Sequence, residues 1–145
     1  MKTSVFIVDD SQVVRDLLTN VISRLSNVEV VGRAAEVSEA IEAIRRLKPA
    51  IVVLDISMPG GSGLEVLEAA KREQPAPIVM MLTNLAYEQY REKCRQLGAD
   101  YFFDKSTEFQ KAKDVLIKLG AVGIRTEHGA RDQGDQSAES GAPKQ

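Results

Sequence analysis

The chain has 145 residues, 43% of them apolar and 28% charged, which is the profile of one soluble globular domain with its own core and too little length for two. Its 19 basic and 21 acidic residues leave a formal charge of −2, so nothing in the overall balance suggests a nucleic-acid or membrane surface. The single cysteine, Cys94, excludes an internal disulfide and fits a reducing cytoplasm, and the N-terminal apolar run stops at Val8, too early for a signal peptide or a membrane span.

The first predicted strand, SVFIV (4–8), runs directly into two adjacent carboxylates, Asp9 and Asp10. Val14, Leu18, Ile22 and Leu25 then recur at helical spacing and predict one apolar stripe. The second strand, VEVVGRA (28–34), carries Glu29 and Arg33 among its valines and reads as an edge strand. A second helix follows through Val37, Ile41, Ile44 and Leu47, and Pro49 lies just beyond it. The third strand, AIVVLD (50–55), is a continuous aliphatic run of the kind buried on both faces. PGGSG (59–63) matches neither a GxGxxG motif nor a P-loop with its lysine, and is expected to be a flexible turn.

Ser62 and Glu65 fit a capping box opening the third helix. The fourth strand, PIVMMLT (77–83), ends in Thr83, and Asn84 follows. In the fourth helix, YEQYREKCRQL, the apolar stripe is Tyr87, Tyr90, Cys94 and Leu97, with Gly98 after it, and Cys94 is expected to pack rather than react. The fifth strand, DYFF (100–103), runs toward Lys105. Thr107 to Gln110 fit a second capping box, the fifth helix carries Phe109, Ala112, Leu116 and Leu119, and Gly120 is expected to end it. Residues 125–145 contain no Val, Ile, Leu, Met or aromatic residue, so a domain over 1–124 followed by a disordered polar tail is expected, and His128 in that tail has no second ligand nearby.

Strict alternation of strands and helices predicts an α/β fold, a (βα)5 flavodoxin-like sandwich with helices on both faces of a parallel sheet in the order 2-1-3-4-5. In such sheets ligands bind beyond the carboxyl ends of the strands, where the strand order reverses. Strands 1, 3, 4 and 5 end at Asp9 and Asp10, Asp55, Thr83 and Lys105, whereas the second strand ends in Arg33, Ala34 and Ala35 with no carboxylate or hydroxyl. Taken singly, Asp10 or Ser11 reads as a helix N-cap, Thr83 as a β-former and Lys105 as a surface residue. Their coincidence at contiguous strand ends is what points to chemistry.

Neighbouring strands lie about 5 Å apart, so Asp55 should face the acidic pair. Two unit charges at that distance repel by about 3 kcal/mol at an effective dielectric near 20. Three such carboxylates call for a hard cation, and an all-oxygen ligand set with room for water suits Mg²⁺ better than zinc. Lys105 starts two strands away, roughly 10 Å, a gap that its side chain could close for the most part.

VDDS, LDISMPGGSG, MLTN and GADYFFDKS, in this order over residues 4 to 119, resemble the receiver domain of two-component response regulators. The resemblance implies that Asp55 is the phosphoacceptor, and that Asp9, Asp10, Asp55 and the backbone carbonyl of Ser57 hold Mg²⁺. It further implies that Thr83 hydrogen-bonds the phosphoryl group, that Lys105 pairs with its charge, and that Phe102 occupies an aromatic switch position. Such a chain accepts phosphate from a histidine kinase or a histidine phosphotransfer protein. It then signals to a downstream protein, through a face of the fourth helix, fifth strand and fifth helix, or relays the phosphate. No output domain is visible, and no nucleic acid, membrane or enzymatic activity beyond its own phosphorylation and dephosphorylation is implied.

Three residues depart from the family pattern. Ser106 replaces the usual proline after the lysine, so a trans bond is expected. Asn84 stands where a very small residue is usual and is expected to narrow access to the site, and Phe102 lacks the hydroxyl of the commoner tyrosine. Of the competing readings, a metabolite phosphatase of the haloacid-dehalogenase kind needs a D-x-D after the first strand, whereas these acids are adjacent. A flavin carrier would have its phosphate repelled by that pair, and a degenerate scaffold would normally lack Asp55, Thr83 or Lys105.

Overall fold

The structure, a computed structural model, describes residues 2–123; the polar segment 125–145 and His128 lie outside them. Its elements in chain order are β1 (Thr3–Val8), α1 (Gln12–Ser23), β2 (Val28–Ala34), α2 (Val37–Leu47), β3 (Ile51–Leu54), β4 (Ser57–Met58), β5 (Gly61–Ser62), α3 (Gly63–Lys71), β6 (Ile78–Thr83), α4 (Glu88–Gln96), β7 (Tyr101–Asp104) and α5 (Phe109–Val122). Five of the strands form one parallel sheet in the order β2-β1-β3-β6-β7. This is the 2-1-3-4-5 order expected from the sequence, because the short β4 and β5 shift only the numbering.

The strand alternation explains the layers. Side chains of successive residues point to opposite faces of a sheet. Val5, Ile7, Ile51, Val53, Met80 and Leu82 therefore pack beneath α1 and α5, through Leu18, Ile22, Ala112 and Leu116. Phe6, Val8, Val52, Leu54, Val79 and Met81 pack on the other face against α2, α3 and α4. β2 and β7 are the edges, and β2 alternates buried and exposed residues as its interspersed charges require.

Four local expectations need correction. PGGSG does turn ahead of α3, at Pro59-Gly60, but not as an unpaired segment: the flanking residues pair antiparallel, Ser57 with Ser62 and Met58 with Gly61. Gly120 does not end α5, which continues to Val122 and closes at Gly123 with a left-handed φ of 78°. Gly120 is needed inside the helix, where a Cβ would lie 2.9 Å from Val28 Cγ1. The Thr107 capping box does not form; Glu108 is the N-cap residue, and its carboxylate instead accepts the Asp104 N–H at 2.9 Å. Tyr87 is not on the buried stripe of α4 but is its exposed N-cap residue, leaving Tyr90, Cys94 and Leu97 to pack inward. By contrast, the Ser62–Glu65 capping box is present with both reciprocal bonds. Among the described residues no helix is long and apolar enough to cross a membrane.

Candidate functional site

The register of the central strands places the site. Val8 of β1 pairs with Leu54 of β3, so the next residue of each, Asp9 and Asp55, leaves the sheet side by side. Both are buried, and their main chains remain on the ladder: Asp55 N donates to Val8 O and Asp9 N donates to Ala34 O. Asp10, one residue later, is exposed. One carboxylate oxygen from each of Asp9, Asp10 and Asp55 lies within 4.8 Å of the others.

Lys105 closes its gap completely rather than for the most part. Its Nζ donates to Asp9 Oδ2 at 2.7 Å and to Asp55 Oδ2 at 2.9 Å, with only 14% of the side chain exposed. The ammonium therefore sits between the two buried carboxylates and offsets their repulsion. With all three acids ionised, the cluster still carries two negative charges beyond the one that Lys105 balances, which matches the charge of one divalent cation. Burial pushes the Asp9 carboxyl above its usual range, against the opposing effect of hydrogen bonds from Lys105 and Ser11. Burial alone would lower the Lys105 ammonium, but its bonds to Asp9 and Asp55 outweigh this and raise it.

Local structure holds these groups in place. Asp9 Oδ1 accepts the Ser11 N–H at 2.9 Å, and Ser11 itself caps α1 by accepting from Val14 N. The N-cap is thus Ser11, not Asp10, which leaves the Asp10 side chain free of that duty. Arg15, which no sequence motif singles out, donates to Asp9 O at 2.8 Å and pins the turn from α1. Ser57 is brought to Asp55 through its amide, which donates to Oδ1 at 3.4 Å. Gly63 lies so close to Asp55 that a Cβ there would be 1.9 Å from the Asp55 carbonyl oxygen.

Thr83 ends β6, the strand beside β3, and is fully buried. Its hydroxyl accepts the Leu85 N–H at 3.1 Å, and its carbonyl accepts the Lys105 N–H at 2.9 Å. Asn84, next to it, is exposed. The Lys105–Ser106 bond is trans, as expected, and Ser106 turns back to donate from both its amide and its hydroxyl to Asp104 Oδ1. Phe102 is not in the carboxylate cluster; it lies half-buried on β7 with its ring under the Arg91 guanidinium. Asp9, Asp10, Asp55 and Lys105 thus come together as one polar cluster, with Ser57 and Thr83 bordering it.

Comparison with known proteins agrees with this arrangement. Residues 5–117 match the response regulator receiver domain family model. The chain is 49% identical over 77 residues to a protein-glutamate methylesterase/protein-glutamine glutaminase of Xanthomonas oryzae pv. oryzae, a stretch covering 53% of this chain and 22% of that protein. A protein of the same name from Nitrosomonas europaea is 45% identical over 82 residues, 57% of this chain and 23% of the relative. The aligned stretch is therefore less than a quarter of the length of these curated relatives. Among solved structures, the response regulator domain of Thermotoga maritima CheB superposes with a TM-score of 0.74 at 28% identity, covering 86% of this chain and 97% of that one. A chain of the CheX-CheY-BeF3-Mg+2 complex from Borrelia burgdorferi gives a TM-score of 0.68 at 28% identity, over 78% of this chain and 88% of that one. With strand order, strand-end chemistry and family match in agreement, the chain belongs to the response regulator receiver domain family.

Proposed function

We propose that this chain is a phosphorylation-dependent signalling switch that accepts a phosphoryl group on Asp55 from a histidine kinase or a histidine phosphotransfer protein. The observation that carries this reading is the Lys105 ammonium bridging Asp9 and Asp55 inside a three-carboxylate cluster. An Asp55 oxygen attacks phosphorus in line, forming the O–P bond as the donor's bond to phosphorus breaks. Lys105, already on Asp55 Oδ2, is positioned to pair with the phosphoryl oxygens as their charge is delivered. Thr83 supplies a hydroxyl from the adjacent strand.

Asp9, Asp10 and Asp55, with the Ser57 carbonyl, would hold Mg²⁺, which when bound supplies the positive charge that neutralises the equatorial oxygens. The hard, all-oxygen donor set and the two uncompensated negative charges fit that ion. Phosphorylation then draws Thr83 inward and lets Phe102 move to a more buried position, which changes the α4–β7–α5 face that a downstream protein reads. The chain acts through that contact, or by relaying phosphate, and not as an enzyme on another substrate.

The test is NMR of the whole chain with beryllofluoride and Mg²⁺, wild type against Asp55→Asn. The expected result is a shift of the α4 and Phe102 signals in wild type alone. No shift in wild type would sink the switch and favour a phosphorylation-independent scaffold.

A further inference from the structure

α4 is held to the body of the protein by few groups. Cys94 is its one buried residue, Tyr90 and the adjoining Leu97 pack partly, and its N-cap residue Tyr87 makes no side-chain capping bond. Among its charged side chains, Arg95 pairs with Glu92 along the helix. Arg91 behaves differently. It reaches across to β7, where Nη1 donates to the Phe102 carbonyl at 3.3 Å and the guanidinium carbon sits 4.6 Å from the centre of the Phe102 ring. An arginine over an aromatic face is attracted by the ring's negative quadrupole and also covers its apolar surface.

From the other side, Glu108 of the β7–α5 connection grips the same strand. Its carboxylate accepts the Asp104 N–H at 2.9 Å and its own N–H donates to the Asp104 carbonyl at 2.8 Å. Main-chain groups of this edge strand are thus occupied from both flanks, immediately before Lys105. Of these contacts, only the one from Arg91 touches the ring of Phe102 and at the same time belongs to α4.

We propose that Arg91 is a positioning residue that holds Phe102 in its resting, half-buried place and thereby ties the position of α4 to the state of the phosphorylation site. For the ring to move inward it must leave the guanidinium, so the Arg91 contact favours the resting arrangement. Replacing Arg91 with alanine removes that bias, and a cation–π contact at a partly exposed site corresponds to roughly a two- to five-fold change in the equilibrium between the two positions. Arg91→Lys keeps a cation that can sit over the ring but loses the planar group, and should restore part of the bias.

The first arm needs no phosphorylation. In the full chain, free of metal and phosphodonor and labelled on its four phenylalanines, Arg91→Ala should move the Phe102 ring signals and the α4 amides, leave those of the core residue Phe6 in place, and be partly reversed in Arg91→Lys. Unchanged Phe102 signals would overturn the proposal.

The second arm rests on Asp55 being the phosphoacceptor. With Mg²⁺ present, Arg91→Ala should reach half-response at about two- to five-fold less beryllofluoride than wild type, and this difference should vanish in a Phe102→Leu background. The same difference persisting without the phenyl ring would contradict coupling through Phe102. A wild type that never responds to beryllofluoride would remove the phosphorylation reading instead, leaving the first arm to decide the role of Arg91.

Discussion

Lys105→Met tests the electrostatics of the site at its centre. The substitution keeps most of the side chain's length and apolar stem but removes the ammonium from between two carboxylates whose side chains are only 3% and 7% exposed. At about 5 Å two such charges repel by about 3 kcal/mol at an effective dielectric near 20. Breaking a buried ion pair by deleting one partner typically costs about 3–5 kcal/mol. The two routes agree on a loss of about 3 kcal/mol when no metal is present. With a urea dependence of about 1–3 kcal/mol per molar, the unfolding midpoint in EDTA should fall by roughly 1–3 M. A divalent cation can take over the missing positive charge, so millimolar Mg²⁺ should recover more stability in Lys105→Met than it adds to wild type. Urea titrations of both proteins, with EDTA and with Mg²⁺, measure this directly. A loss below about 1 kcal/mol in EDTA is what an exposed ion pair gives, and it would refute the idea that Lys105 compensates buried charge.

Three further outcomes follow from the geometry. Gly63→Ala places a methyl group on the Asp55 carbonyl, a main-chain atom that cannot step aside, so it should cost about 1–3 kcal/mol and slow modification of Asp55, read by urea unfolding and acetyl phosphate labelling. Ser62→Ala breaks a formed capping box and should lose about 1 kcal/mol, whereas Thr107→Ala, at a box that does not form, should change urea stability by less than half of that. Burial pushes the Cys94 thiol up to about 11, so thiolate is scarce in the folded chain at pH 8, and the pH at which it forms lies above that of an exposed cysteine. Maleimide labelling at pH 8 should therefore be slow in buffer and fast in urea; rapid labelling of the folded protein would contradict the packing of α4.

The parts of this protein that depend on periodicity could be read from its residues alone. IVVL and IVMML are continuous because β3 and β6 are covered on both faces, while β2 interleaves Glu29 and Arg33 because it is an edge. The cluster of Asp9, Asp10 and Asp55 was legible too, since strand ends at a reversal of strand order are fixed by topology. What could not be read depends on side-chain paths and on close packing between distant segments. The sequence places Lys105 two strands from Asp55, but only the course of its side chain puts the ammonium on both carboxylates.

Gly120 looks like a helix terminator, yet it is there because α5 crosses Val28 with no room for a side chain. Thr107 has the spacing of a capping residue, but Glu108 is drawn to the Asp104 amide instead. Arg15 and Arg91 are ordinary surface arginines by composition, and their partners, the carbonyls of Asp9 and Phe102, leave no trace in the identity of those residues. For Arg91 the one available signal was the neighbouring aromatic strand.

If Asp55 accepts a phosphoryl group in a Mg²⁺-dependent reaction, as proposed, intact-mass analysis after incubation with acetyl phosphate will detect it. Wild type with Mg²⁺ should gain the mass of one phosphoryl group, and should not do so in EDTA or as Asp55→Asn. An unmodified wild-type chain, or an Asp55→Asn chain that gains the same mass, would contradict the account.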